Sequence, residues 1–95
     1  MNRVILEKLK DLKPKLQEDF GISCFALFGS QARDDYNEKS DIDIVVFEMK
    51  LESGFDLLRA KSFIEKNLGT KVDMGTYKSL KTFIKNRIQK DLIYV

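Results

Sequence analysis

Ninety-five residues, 43% of them hydrophobic and 34% charged, suffice for one small domain with a single core and little to spare. Histidine is absent and cysteine occurs once, which removes His-based catalytic triads, the usual zinc sites, imidazole acid–base chemistry and any internal disulfide. The net charge of +2 is near balance, no apolar run could span a membrane, and residues 1–20 are charged and helical in period rather than signal-like, so a cytoplasmic protein with no membrane partner is expected.

In chain order, Ile5, Leu9, Leu12 and Leu16 form an i, i+4, i+7, i+11 stripe, the mark of an amphipathic helix. Pro14 falls inside it and predicts a kink or a break into two helices, and Gly21 ends the segment. Residues 22–28 are almost wholly apolar and read as a buried strand, with Cys24 as a small apolar group within it. The strand runs into Gly29, which lacks a Cβ, can adopt a turn closed to other residues and lets a ligand approach the main chain. Ser30 follows with a hydroxyl and could cap a short helix over Gln31, Ala32 and Arg33, whose first N–H groups would face an anion.

Ten residues separate Ser30 from Asp41-Ile42-Asp43, at the head of a second apolar, β-branched run through Phe47. On a strand, residues two apart share a face, so Asp41 and Asp43 project side by side, roughly 6 to 7 Å apart at Cα. Adjacent carboxylates repel, and a divalent cation with oxygen ligands relieves the repulsion. Residues 49–54 are a polar excursion read as a loop. Leu57, Ala60, Ile64 and Leu68 make a second helical stripe closed by Gly69. Lys71-Val72-Asp73-Met74 is strand-like, and if it pairs beside the run carrying Asp41 and Asp43, three carboxylates converge on one sheet edge. That is enough for Mg²⁺, which takes one or two protein carboxylates and completes its shell with water and substrate phosphate. Ser79 is a plausible N-cap for a third helix lined by Leu80, Phe83, Ile84 and Ile88. Residues 92–95 read as a final edge strand.

Alternating helices and apolar strands indicate an α/β or α+β domain over residues 1–95, a small mixed sheet covered by helices. Charge is uneven along it. Asp34, Asp35, Glu38, Asp41 and Asp43 form an acidic patch, while Lys71, Lys78, Lys81, Lys85, Arg87 and Lys90 make the last third basic. Lys78 or Lys81 could reach a triphosphate, although helical spacing favours a solvated face for these lysines. Tyr36, Tyr77 and Tyr94 are scattered, so no nucleic-acid partner is expected.

At these residues the chain resembles the minimal nucleotidyltransferases of the DNA polymerase β superfamily, whose signature is Gly-Ser, ten residues, then Asp-x-Asp. Phe28-Gly29-Ser30-Gln31-Ala32-Arg33 is similar to the family's Phe-Gly-Ser-x-Ala-Arg, Ser40-Asp41-Ile42-Asp43-Ile44 to its Ser-Asp-Ile-Asp-Leu, and Val72-Asp73 to its third carboxylate. The resemblance covers essentially the whole chain and implies a polymerase-β-like nucleotidyltransferase fold. By it, Asp41, Asp43 and Asp73 are the catalytic, metal-holding triad, and Gly29, Ser30, Arg33 and Ser40 lie on the side of the ATP that is the substrate. Where the family commonly carries Gly after Arg33, this chain has Asp34 and Asp35, a more acidic and stiffer loop. Larger relatives bind the acceptor on an additional domain, for which no residues remain here, so the acceptor is expected on another chain. The resemblance implies an antitoxin that moves AMP from ATP to a tyrosine of a HEPN-type RNase toxin. Two alternatives stay open: an antitoxin that neutralises its toxin by binding alone, and a nucleotidyltransferase for a small molecule such as an aminoglycoside.

Overall fold

The computed structural model describes residues 1–33, 35–37, 39–50 and 55–95. A helix α1 (Arg3–Phe20) precedes strand β1 (Ile22–Phe28), a 3₁₀ turn (Gly29–Gln31) and strand β2 (Ile42–Met49). Helix α2 (Asp56–Leu68), strand β3 (Val72–Thr76), a second 3₁₀ turn (Tyr77–Ser79), helix α3 (Thr82–Ile88), a third 3₁₀ turn (Gln89–Asp91) and strand β4 (Ile93–Tyr94) complete the order. The strands lie in the order β3-β2-β1-β4. β1 is antiparallel to both β2 and β4, whereas β2 and β3 are parallel and joined through α2 as a crossover, so the sheet is mixed.

Burial follows from strand alternation. Phe25, Leu27, Ile42, Ile44 and Val46 face α1 and α2, where Leu9, Leu16, Ala60 and Ile64 are buried against them. Ala26 and Val45, one position out of phase, face the opposite side and pack with Ile88 of α3. The helical stripes of α1 and α2 thus lie against one face and α3 against the other.

Four local expectations need correction. α1 runs through Pro14 as one helix, so of the expected kink or break the break does not occur. Proline inside a helix costs about 3 kcal/mol, but Pro14 is exposed, where water can satisfy the freed carbonyl, and Leu9 and Leu16 are fully buried on either side of it. Burying each leucine is worth about 1.5–3 kcal/mol, which outweighs the break. Ser79 does not cap α3: its Oγ donates to the Thr76 carbonyl at 2.9 Å within the preceding turn, and Lys81 occupies the cap position with no side-chain hydrogen bond. Phe83, expected on the packed side of that helix, is 62% exposed. Cys24 is half-buried where the β1–β2 register shifts, rather than enclosed. Residues 51–54 of the expected loop, together with Asp34 and Glu38 of the acidic patch, lie outside the described residues. No helix among the described residues is long and apolar enough to cross a membrane.

Candidate active site at the carboxylate edge of the sheet

The end of β1 and the starts of β2 and β3 meet at one edge. Phe28 pairs with Asp43, and Asp43 pairs with Asp73 on the parallel strand, so register places these two carboxylates on neighbouring strands at the same level. Asp41 stands one residue ahead of β2 and is exposed. Beyond Phe28 the chain turns at Gly29 with φ +74°, the left-handed region. A Cβ there would collide with the Asp43 carboxylate oxygen and come within 3.1 Å of its Cγ. Glycine is therefore required twice, by the turn and by the close approach of Asp43.

The short helix begins two residues earlier than expected, at Gly29, with Ala32 and Arg33 N–H groups donating to the Gly29 carbonyl at 3.0 and 3.1 Å. Ser30 consequently lies inside the turn rather than capping it. A cavity of about 620 Å³ opens beside it, lined by Gly29, Ser30 and Arg33 from this turn, Asp43 and Asp73 from the strands, and Arg87, Lys90 and Asp91 from the end of α3 and the turn after it. A hollow of about 690 Å³ lies at the opposite end of the sheet, among Gly21, Met49, Lys50 and Thr76. It is slightly larger, but Glu48 is its one carboxylate among the described residues, so the smaller cavity is the candidate site. Lys78 lines that far hollow and Lys81 lines neither, and both are exposed, in keeping with the solvated face favoured for them rather than with a reach to the triphosphate.

Burial first, then the charges of Asp73 and Asp41, push the Asp43 carboxyl from its ordinary 3.8 up to about 6, with Arg33 pulling the other way. Asp41 thus acts on Asp43 electrostatically although it does not line the cavity. No three of the Asp, Glu and Cys side chains among the described residues form a set that could hold a metal ion by themselves. What stands together is the Asp43–Asp73 pair. Hard oxygen donors in mutual repulsion suit Mg²⁺, which needs one or two protein carboxylates when water and phosphate supply the rest.

Arg33 is engaged at both ends of its guanidinium. Its Nε meets Asp35 at 3.1 Å and its Nη1 meets Asp91 at 3.1 Å, which ties the Gly-Ser turn to the chain just before β4. Hydrogen bonds to Asp35, and then to Asp91, raise its pKa. Ser40 lies outside the cavity lining: its Oγ accepts from the Asn37 N–H at 2.9 Å, and it shapes the turn before Asp41.

Gln31 escaped the sequence reading. It is 3% exposed, the one buried polar side chain among the described residues. Its Oε1 accepts from Asn2 Nδ2 at 2.8 Å, and its Nε2 donates to the Ser40 carbonyl at 3.1 Å. Its own carbonyl accepts from the Asn2 N–H at 2.8 Å, while Asn2 Oδ1 accepts from Ile5 N–H at the start of α1. One side chain therefore fastens the Gly-Ser turn both to α1 and to the residue preceding Asp41. Arg87, Lys90 and Asp91 were also missed as cavity residues, because nothing in their local pattern says that α3 returns to this edge.

Comparison with known proteins bears on the family and the fold. The family model for the nucleotidyltransferase domain matches residues 9–95. A Methanocaldococcus jannaschii protein, provisionally named a protein adenylyltransferase, is 42% identical over 94 residues, covering 96% of this chain and 94% of its own. Protein adenylyltransferase MntA of Thermococcus cleftensis is 30% identical over 99 residues, covering 100% of both chains. Among solved structures, one provisionally described as a minimal nucleotidyltransferase superposes with a TM-score of 0.76 at 24% identity, over 98% of this chain and 95% of that one. The complex of a tri-AMPylated Shewanella oneidensis HEPN toxin with its MNT antitoxin gives a TM-score of 0.66 at 20% identity, over 99% of this chain and 71% of that one. The fold is that of the minimal nucleotidyltransferases, a polymerase-β-like mixed sheet with helices. A Gly-Ser turn closing on the first of two register-matched carboxylates, in a chain matched over residues 9–95, makes this protein a member of the nucleotidyltransferase domain family.

Proposed function

We propose that this chain is an antitoxin that transfers AMP from ATP to a tyrosine of a HEPN-type toxin. The observation carrying this reading is the Asp43–Asp73 pair in parallel register beneath Gly29, in a cavity that also presents cations. Relatives named as protein adenylyltransferases and the toxin–antitoxin complex of like fold support the reaction and the partner class. Asp43 and Asp73, with Asp41 beside them, would hold Mg²⁺ together with the phosphates, and the ion would supply charge neutralisation there.

The chain's own groups then have distinct tasks. The turn from Gly29 to Gln31 leaves main-chain N–H groups and the Ser30 hydroxyl to hold phosphate oxygens. The acceptor hydroxyl forms a new O–P bond at the α phosphorus as the bond to pyrophosphate breaks, which demands in-line placement more than covalent help. The hydroxyl's proton passes to a carboxylate, since histidine is absent. Asp73, exposed at the start of β3, is the accessible acceptor, whereas Asp43 is half-buried beneath Gly29.

One observation favours a second reading, neutralisation by binding alone: Arg33 is already paired with Asp35 and Asp91 and so withheld from phosphate. Coexpression of the chain with its toxin decides between them by mass spectrometry. The catalytic reading expects added AMP on the toxin, absent with Asp41→Asn/Asp43→Asn. A toxin neutralised equally well by the double variant, with no added mass, would establish occlusion.

A further inference from the structure

We propose that Arg87 and Lys90 grip the β and γ phosphates of the nucleotide and stabilise the departing pyrophosphate. This inference rests on the nucleotide-site reading and adds the side chains that would make the site selective for a triphosphate. The cavity wall presents six charged side chains, three acidic and three basic. Arg33 and Asp91 satisfy one another at 3.1 Å. The remainder are Asp43 and Asp73 on the sheet edge and Arg87 and Lys90 from the end of α3 and the turn after it. Neither of these cations has a carboxylate partner among the described residues, and both are exposed.

The fold brings them there. Ile88 is buried against Ala26 and Val45, with Ile84 packed alongside, so α3 lies across the second face and ends at the edge where β2 begins. Arg87 and Lys90 flank that anchored isoleucine by one residue before and two after. Basic residues in a last helical turn complement the helix dipole, and for Lys85 a further role is visible, since its ammonium sits 4.8 Å from the centre of the Tyr77 ring. Arg87 and Lys90 have no such contact and line the cavity instead. Unpaired carboxylates and unpaired cations lining one cavity are complementary to a ligand that carries both signs. A triphosphate with its divalent cation is such a ligand, with the cation toward Asp43 and Asp73 and the outer phosphates toward Arg87 and Lys90. Guanidinium offers a fixed fork of donors to one phosphate, and ammonium a movable point charge to the next.

Titration calorimetry in Mg²⁺ with ATP, AMP and inorganic tripolyphosphate tests this on wild type, Arg87→Gln/Lys90→Gln, Arg87→Lys, and a Lys78→Gln/Lys81→Gln control. The first double variant should bind ATP and tripolyphosphate about tenfold to a hundredfold more weakly, bind AMP as wild type does, and melt at the wild-type temperature. Arg87→Lys should recover part of the loss, and the control should lose nothing. Tripolyphosphate binding unchanged in Arg87→Gln/Lys90→Gln, or an equal loss for AMP, would overturn the proposal while leaving the nucleotide site intact. A wild type that binds neither ATP nor AMP would instead overturn the nucleotide site, and this proposal with it.

Discussion

Gly29 and Asp43 behave as one unit, since the glycine's missing side chain is the space into which the carboxylate leans. Gly29→Ala should cost about 1–2 kcal/mol for the left-handed backbone alone and more for the displaced carboxylate, with nucleotide binding lost as well. Gly69 provides the comparison: it has φ +66° with nothing within 4 Å of an added Cβ, so Gly69→Ala should show the backbone cost only. Urea unfolding of both variants reads the difference. Asp43 also carries a pH signature. Its folded-state pKa, about 6, lies above the unfolded 3.8, so the stability it contributes is complete below pH 3.8 and is lost as pH rises through about 6. In EDTA, Asp43→Asn should therefore melt above wild type at pH 7.5, by about 1–2 kcal/mol after allowance for solvent screening, and the gap should close by pH 4. Transfer activity should be abolished in that variant throughout. A gap independent of pH would disprove the raised pKa that burial and the neighbouring carboxylates give Asp43.

Between elements, the fastening is done by Gln31. Gln31→Ala strands Asn2 Nδ2 and the Ser40 carbonyl, and the expected cost is about 1–3 kcal/mol. The Gly-Ser turn should loosen, so hydrogen exchange at Ala32 and Arg33 should quicken while amides of β2 stay protected. Uniform quickening would mean that Gln31 serves global stability alone. The elements themselves were largely legible. The stripes Ile5-Leu9-Leu12-Leu16 and Leu57-Ala60-Ile64-Leu68 fix helices because burial follows period, and alternation from Ile42 fixes a strand. Pro14 and Ser79 misled, because each was judged by local propensity: burial of Leu9 and Leu16 overrides the proline, and the Thr76 carbonyl claims the serine hydroxyl. Gln31 was illegible since its partners, Asn2 and Ser40, are 29 and 9 residues away.

Across the whole molecule, the candidate site was half legible. Gly29, Ser30, Asp41 and Asp43 stand out by spacing, and Asp73 by its place in a second strand-like run. The basic wall did not, because its position depends on α3 crossing the far face, which no local pattern encodes. Arg33 and Asp91, 58 residues apart, hold the turn to that wall. Asp91→Asn should therefore free Arg33, and because the pair is partly exposed, the stability change should be below about 1 kcal/mol. If the pair withholds Arg33 from phosphate, this variant should bind ATP more tightly than wild type, whereas weaker binding would show that the pair organises the site.

The parallel pairing of Asp43 with Asp73 has a consequence for how the chain acquires its shape. β1 and β2 can zip together early as antiparallel neighbours, but β3 must wait for α2 to form and cross over, and β4 must find β1 from some seventy positions further along the chain. The carboxylate edge is therefore incomplete until the β2–β3 crossover has closed, a longer loop closure than that of the β1–β2 pair. A half-folded molecule would hold Gly29 over Asp43 with neither Asp73 nor the basic wall in place. During refolding, recovery of ATP binding should accordingly lag behind the return of helical signal and coincide with completion of the sheet.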